Sequence, residues 1–234
     1  MTALITLSSR FRSTVAMELA VALSGLAMVL FIFGHLAGNL LIFAGPEALN
    51  TYADKLQSLG PLLWVARIGL IAALVTHMGL TVYVTLANRA ARGQQRYAMN
   101  AYVGPKTVAS RLMVYTGIII FSFLVLHLLD FTFAAKTGPA TVVAGMGAHS
   151  LGLFGLVWNT FANPVHALVY IVAVWAVGLH FMHCLSSVWV TLGALTDRAT
   201  PKADAISLAL GVAVSLGFSA IPVYVLVRTH LTGV

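Results

Sequence analysis

Long apolar runs alternate with short polar joints along the whole chain. Each run is long enough to cross a bilayer as one α-helix, which takes about 20 residues. Backbone groups in lipid must be hydrogen-bonded within their own segment, and the alternation typical of barrel strands is not visible. The pattern therefore predicts an all-α integral membrane protein, a single domain over 1–234, with transmembrane helices at 16–44, 62–87, 112–135, 164–195 and 205–228.

The composition agrees with a membrane protein. Hydrophobic residues make up 60% of the chain and charged residues only 8%, whereas soluble domains carry about 25% charged residues. The single cysteine, Cys184, excludes a disulfide framework, a cysteine-ligated iron–sulfur cluster and a covalent CxxCH haem site built from this chain alone. The net charge of +7 is interpreted as an insertion signal, with membrane lipid and not nucleic acid as the surroundings.

Lysine and arginine in the joints predict the orientation, because they collect on the cytoplasmic side of a membrane. The side that holds the N-terminus carries nine of them: Arg10, Arg12, Arg89, Arg92, Arg96, Lys106, Arg111, Arg198 and Lys202. The opposite side carries four: Lys55, Arg67, Lys136 and Arg228. We therefore expect a cytoplasmic N-terminus and, after five spans, a C-terminus outside.

Histidines inside the first four spans are the main candidates for chemistry. Ionisable side chains within a membrane are costly, face the bundle interior and usually mark function. Counting from the ends of the spans places His35 level with His127, and His77 level with His180. With a rise of 1.5 Å per residue, the second layer lies roughly 10 Å closer to the cytoplasm. The sequence thus predicts two stacked histidine pairs.

Two such pairs, each drawn from two helices, are what bis-imidazole ligation of two haems in a four-helix bundle requires. A closed zinc site would need Cys, Asp or Glu at these depths, and a proton relay would use intramembrane carboxylates, which are scarce. For any single histidine, a hydrogen-bonded structural role is the alternative. Glycines on the same helices lie where a flat macrocycle or a neighbouring backbone would come close: Gly34, Gly38, Gly79, Gly117 and Gly178.

Several stretches resemble one known family. They are SGLAMVLFIFGHLAGNLLIFAGPEALNTYADKL, ARIGLIAALVTHMGLTVYVTLANRAARGQQRY, FLVLHLLDF and LHFMHCLSSVWVTLGAL. In order and spacing they resemble the cytochrome b membrane anchor of succinate:quinone oxidoreductase, of the single-chain, five-helix, di-haem type shared with menaquinone-linked fumarate reductases. The resemblance covers nearly the whole chain, and HLAGNL with GPEALNTYA and the H-x-x-H-C-L-S-S-x-W segment are its most specific parts.

This resemblance implies two haem b groups held by the first four helices. His77 and His180 would ligate the iron nearer the cytoplasm, and His35 and His127 the outer one, which is the pairing that topology predicts. His183, one turn beyond the matching ligand, would be a hydrogen-bonding neighbour. His166, which follows the proline at the start of the fourth helix, is expected at the membrane interface.

Partners are implied in the same way. A FAD-containing flavoprotein subunit would oxidise succinate, and an iron–sulfur subunit would pass electrons to this chain, which has no succinate site of its own. The setting would be a prokaryotic cytoplasmic (inner) membrane. We expect the iron–sulfur subunit to dock on the basic residues Arg89, Arg92, Arg96 and Arg198.

The quinone, expected to be menaquinone, needs an apolar pocket near one haem with groups that bond its oxygens. The candidates lie on the outer side: Asp130, Glu47, Asn39, Tyr52 and Gln57. For Asp130 and Glu47 the alternative is that they cap helix ends or pair with Lys55 and Arg67. Gln57 falls near the place of a carboxylate that matters in related fumarate reductases, so the chain departs from the family at this position. On the inner side, Ser24 with Arg12 or Arg111 is the alternative site.

Two other functions stay open at this point. One is the haem b anchor of another quinone-linked enzyme, such as a hydrogenase or formate dehydrogenase. The other is a haem-free multi-pass transporter in which the histidines bind substrate or protons, although inverted repeats and paired broken helices are not visible in the sequence. Bound haem would distinguish the transporter from both anchors.

Overall fold

The structure is a computed structural model that describes residues 14–92, 108–194 and 199–231. The regular structure within these residues is helical and includes no strand. The α-helices are α1 (Thr14–Asn39), α2 (Pro46–Ser58), α3 (Pro61–Arg92), α4 (Val108–His127), α5 (Gly152–Ala162), α6 (Pro164–Thr191) and α7 (Thr200–Leu231). A 3₁₀ turn at Leu40–Ala44 extends α1, and a π turn at Leu128–Thr132 follows α4.

Five of these helices, α1, α3, α4, α6 and α7, are long and apolar enough to cross a membrane. The candidate spans run Val15–Ala44, Pro61–Ala87, Leu112–Thr132, Pro164–Thr191 and Thr200–Leu231. They confirm the predicted all-α fold with five spans, and they mark the chain as a multi-pass membrane protein. The last span begins earlier than predicted, and the third and fourth end earlier.

Two shorter helices, α2 and α5, lie where the sequence predicted only joints. Helix α2 starts at Pro46, directly after Gly45 at φ +99°, because proline suits the first helical position and glycine tolerates a positive φ. It buries Leu49 and exposes Glu47 and Gln57. Helix α5 is too short to span a membrane. It buries the side chains of Phe154, Trp158 and Phe161 against α6 and α7.

Asn50 joins these two helices. Its Nδ2 donates to the carbonyl oxygen of Leu151 at 2.8 Å, and its Oδ1 accepts from the backbone N–H of Phe154 at 3.1 Å. That N–H belongs to the first turn of α5, where backbone donors lack partners within the helix. Helices α2 and α5 therefore form one layer over an end of the bundle. We call this end the α2–α5 face; α1 and α4 run toward it, and α3 and α6 start from it.

Helix α6 is central, because it packs against α7, α4 and α1, whereas α3 packs mainly on α1. Helices α6 and α7 approach most closely at Gly178. A Cβ added there would lie 2.7 Å from the carbonyl oxygen of Gly211 and would collide with Oγ of Ser215. Close contact between small residues is a common way for membrane helices to associate. Gly178 therefore serves helix packing, not space for a macrocycle.

Candidate functional site

The structure brings His77 of α3 next to His180 of α6, with ring centroids 6.4 Å apart and planes at 64°. Nδ1 of His77 lies 3.1 Å from the carbonyl oxygen of Val21 on α1. Since a carbonyl only accepts, this contact places a proton on Nδ1 and leaves Nε2 with its lone pair. His77 is thus oriented in the manner of a metal-ligating histidine, with its second nitrogen tied to the protein.

His180 is held in the same way by Thr116 of α4. Its Nδ1 lies 3.1 Å from Oγ1 of Thr116, and that hydroxyl is within 3.1 Å of the carbonyl of Leu112 and 3.0 Å of that of Met113. Because the hydroxyl proton goes to one of these carbonyls, its oxygen accepts from Nδ1–H of His180. Nε2 of His180 is left free for a metal. We call His77 and His180 the inner pair.

The outer pair is His35 of α1 and His127, the last residue of α4. Their ring centroids are 5.7 Å apart and their planes are nearly perpendicular, at 88°. Phe31 stacks on His35, and His127 contacts aromatic rings from α4, the π turn and α6. Nδ1 of His127 is buried and has no hydrogen-bond partner within the described residues. Leaving such an atom unpaired costs about 1–3 kcal/mol, so a bound group would find an unsatisfied nitrogen here.

Both spacings fit two imidazoles on opposite sides of one metal. With histidine–metal bonds of about 2.0 Å, the two ring centroids would be roughly 6 Å apart. Each pair also joins helices that are not main packing partners, since α3 packs mainly on α1 and α4 on α6. Within the described residues no group of three or more His, Cys, Asp or Glu could hold a metal ion by itself. Two imidazoles are the protein ligands that a haem iron would take, since its other ligands come from the porphyrin.

Gly25 of α1 lies against His77 and was not identified from the sequence. A Cβ at this position would be 3.2 Å from Cε1 and 3.3 Å from Nδ1 of His77. Gly25 is also one turn beyond Val21, so its missing side chain leaves the Val21 carbonyl open to the histidine. His35 lies ten residues further along the same helix, which separates the two pairs by about 15 Å along α1, somewhat more than predicted.

The other predicted glycines divide between two roles. A Cβ at Gly34 or Gly79 would meet nothing within 4 Å, and one at Gly117 would only touch His180 at 3.9 Å. Gly38 instead receives the ring of Tyr52, whose Cζ would be 2.6 Å from a Cβ there. Gly34 and Gly79 are thus exposed and open, only Gly117 of these adjoins a histidine, and Gly38 lets α2 fold back onto α1.

Asp130 lies in the π turn and faces α6. Its Oδ2 accepts a hydrogen bond from the hydroxyl of Tyr170 at 2.6 Å and lies 2.8 Å from Nε2 of His166. The sequence offered a helix cap or a pair with Lys55 or Arg67 as the alternative for Asp130, and neither describes this arrangement. Asp130 pairs with His166, and the guanidinium of Arg67 lies 5.0 Å from the centre of the Trp64 ring. Sequence reasoning did not connect Tyr170 with Asp130, because only the fold sets α4 beside α6.

The other quinone candidates lie around the end of α1. Nδ2 of Asn39 donates to the carbonyl of His35 at 2.7 Å, within its own helix. Glu47 and Tyr52 line an open groove together with Lys55 and apolar side chains of the 3₁₀ turn. Gln57 is exposed near the end of α2. The structure thus places Glu47 and Tyr52 side by side on α2, and Asp130 with residues of α6.

The structure describes only some of the residues predicted for the alternative quinone site and for the dock of the iron–sulfur subunit. Oγ of Ser24 donates to the carbonyl of Ala20 at 2.6 Å, so its proton is used within α1. Arg12 lies outside the described residues. Of the predicted dock, Arg89 is exposed near the end of α3, whereas Arg96 and Arg198 also lie outside the described residues.

Comparison of the chain with family models, with curated proteins and with solved structures finds no match in any of the three. Function is therefore argued from the chain's own residues. Two kinds of observation bear on it: the motifs of the sequence, and the two histidine pairs that the helices bring together.

Proposed function

We propose that this chain is the di-haem cytochrome b membrane anchor of a succinate:quinone oxidoreductase. In that role it transfers electrons between an iron–sulfur subunit and a membrane quinone, expected to be menaquinone. The observation that carries the proposal is the adjacency of His77 with His180 and of His35 with His127, at two depths of one bundle. The motifs around these histidines, described above, support the choice of family.

In this proposal the four histidines would hold the two haem irons, with one histidine from each of α1, α3, α4 and α6. The Val21 carbonyl and the Thr116 hydroxyl hold Nδ1–H of the inner pair, so that each Nε2 keeps its lone pair for iron. All four histidines are partly buried among the helices. When bound, each haem b supplies reversible one-electron chemistry at its iron, while the protein sets ligation and burial.

The proposed setting is a prokaryotic inner membrane, with the N-terminus in the cytoplasm and the α2–α5 face outside. The distribution of lysine and arginine supports this orientation. An iron–sulfur subunit and a FAD-containing subunit that oxidises succinate would lie on the cytoplasmic side, against the basic residues near the end of α3 and before α7. This chain then contributes electron transfer and quinone chemistry to the tricarboxylic acid cycle and the respiratory chain.

The quinone is proposed to react near the outer pair. Two sets of polar groups support this location: Asp130 beside α6, and Glu47 with Tyr52 in the groove of α2. The groove is lined by apolar and polar side chains together, as small-molecule sites usually are. Asn39 and Gln57 lie at the same end of the bundle and remain candidates for hydrogen bonds to the quinone oxygens.

The direct test is haem stoichiometry. The chain would be purified with its partner subunits from cells with an ample haem supply, and its haem measured by a reduced-minus-oxidised visible spectrum and the pyridine haemochrome method. We expect two haem b per chain in the wild type. When His35, His77, His127 or His180 is changed singly to Ala, we expect one haem to be lost or to become high-spin. His149→Ala is the matched control, because His149 is exposed in a loop. A haem-free wild-type protein would refute the proposal and favour a transporter.

A further inference from the structure

Asp130 is a carboxylic acid inside a membrane span, three residues beyond His127. An intramembrane carboxylate is costly and is a functional candidate by default. It also sits in a π turn, a rare widening of the helix that is frequent at functional sites. The wider turn sets Asp130 against α6, where two side chains bind it.

Both of these side chains bind the same carboxylate oxygen. The hydroxyl of Tyr170 donates a hydrogen bond to Oδ2, and Nε2 of His166 lies within hydrogen-bond distance of the same oxygen. His166 and Tyr170 are four residues apart on α6, so one face of that helix presents both. Within the described residues, Oδ1 of Asp130 takes no hydrogen bond. One oxygen is thus fixed in place while the other stays available to a further donor.

Exposure falls along the cluster from the α2–α5 face inward. The side chain of His166 is 32% exposed and that of Asp130 is 18% exposed. Tyr170 is 5% exposed, and its ring centroid lies 6.2 Å from that of His127 in the outer pair. His166 therefore meets the surroundings of the bundle, and Asp130 lies between it and the outer pair.

We propose that His166 and Asp130 form the route by which protons pass between water at the α2–α5 face and a quinone reacting beside the outer pair. This inference rests on the function proposed above. Reduction of a quinone to a quinol takes two electrons, which the iron–sulfur partner supplies, and two protons, which form the two new O–H bonds. For each proton, water protonates His166 at the nitrogen that faces away from Asp130, and the imidazolium gives the proton on its other nitrogen to Asp130. The ring then turns over, which restores an N–H beside Asp130, and Asp130 passes its proton to a quinone oxygen. Quinol oxidation runs through the same groups in reverse.

Tyr170 is a positioning residue in this route. Its hydroxyl donates a hydrogen bond to Oδ2 and so holds the carboxylate against α6. Asn163 fixes the start of the same helix, because its Oδ1 accepts from the backbone N–H of Val165 and of His166. These two hydrogen bonds cap the end of α6 that carries His166. A route of defined geometry results, as efficient proton transfer requires.

The test uses the intact complex, with reduced 2,3-dimethyl-1,4-naphthoquinone as electron donor and fumarate as acceptor. For Asp130→Asn we expect turnover about 100-fold lower, the order that general acid–base catalysis contributes, with both haems retained. Asp204→Asn is the matched control, since Asp204 accepts a hydrogen bond from Ser186 at the other end of the bundle. It should leave turnover and haem content unchanged.

Two measurements separate proton transfer from a structural role. His166→Ala should slow turnover, and added imidazole should restore it, because His166 is accessible. A redox-induced infrared difference spectrum should show a carboxyl band that shifts in D₂O and disappears only in Asp130→Asn. Full turnover in Asp130→Asn, loss of the outer haem from it, or no rescue of His166→Ala by imidazole would each overturn the route. A haem-free wild-type protein would instead refute the proposed function, and the route with it.

Discussion

Thr116 fixes the tautomer of His180 from a neighbouring helix. The two side chains meet at 3.1 Å, and the hydroxyl proton of Thr116 is committed to a carbonyl of its own helix. The hydroxyl oxygen can therefore only accept from His180. Thr116 is almost fully buried, so water cannot replace it easily.

Replacing this hydroxyl tests whether it positions a ligand. Thr116→Val keeps the shape but removes the acceptor, and we expect one haem to be held about 10- to 100-fold less tightly, as after loss of other groups that orient metal ligands. Haem retention on dilution and the electron paramagnetic resonance signals of the two ferric haems would measure this. Thr116→Ser keeps the oxygen and should behave as the wild type. Unchanged signals and retention in Thr116→Val would show that the contact does not position His180.

Gly25 is expected to be intolerant of a side chain. In Gly25→Val, Cβ would lie 3.2 Å from His77, and the branched side chain would push the ring away from the Val21 carbonyl. We predict loss of one haem per chain, measured by the pyridine haemochrome method. Gly69→Val on α3 is the control, since nothing lies within 4 Å of that position. If Gly25→Val still holds two haems per chain, α1 and α3 can move apart without loss of haem binding, and the prediction is wrong.

Gly178 should be needed for stability and not for ligation. A methyl group in Gly178→Ala would collide with Ser215 and with the backbone of Gly211, and overpacking of this kind costs about 1–3 kcal/mol. The midpoint of thermal unfolding in detergent would fall accordingly, with Gly69→Ala as the reference. If Gly178→Ala unfolds like the wild type, α6 and α7 are less tightly packed than their contacts indicate.

Asn50 should stabilise the layer over the α2–α5 face. Asn50→Ala removes both hydrogen bonds to α5, including a cap of its first turn, and loss of a helix cap costs about 1 kcal/mol. We expect faster amide hydrogen exchange in the first turn of α5 and in α2, with little change in the spans. Asn50→Asp keeps the acceptor for Phe154 and should lose only part of the protection. Equal exchange in all three proteins would contradict a role for Asn50.

The spans could be predicted from the sequence because lipid imposes one rule on every crossing: about 20 apolar residues in a helix. Helices α2 and α5 were missed because that rule does not apply to them. Their signals were nevertheless present. Leu49, Tyr52 and Leu56 follow helical spacing after a proline, and Phe154, Trp158 and Phe161 do the same over a shorter run.

The histidines could be paired by depth because the rise of a helix per residue is fixed. The structure brings the same pairs together. Their role as haem ligands stays a prediction. The groups that orient them could not be found in this way. Val21, Gly25 and Thr116 depend on how α1, α3, α4 and α6 are rotated about their axes. The π turn that carries Asp130 to α6 likewise has no signature in the apolar pattern.

The hydrogen bond from Asn50 to Leu151 has a consequence for the order in which the protein assembles during synthesis. Leu151, its partner, is 101 residues further along the chain. At a synthesis rate of 5–20 residues per second, this partner emerges about 5–20 s later. During that interval α2 is present without α5, and Leu49 has only the part of its cluster that is already synthesised, such as Ile42, to pack against. The hydrogen bonds between Asn50 and the start of α5 would therefore form only in a chain whose spans α3 and α4 have already been inserted in the correct direction.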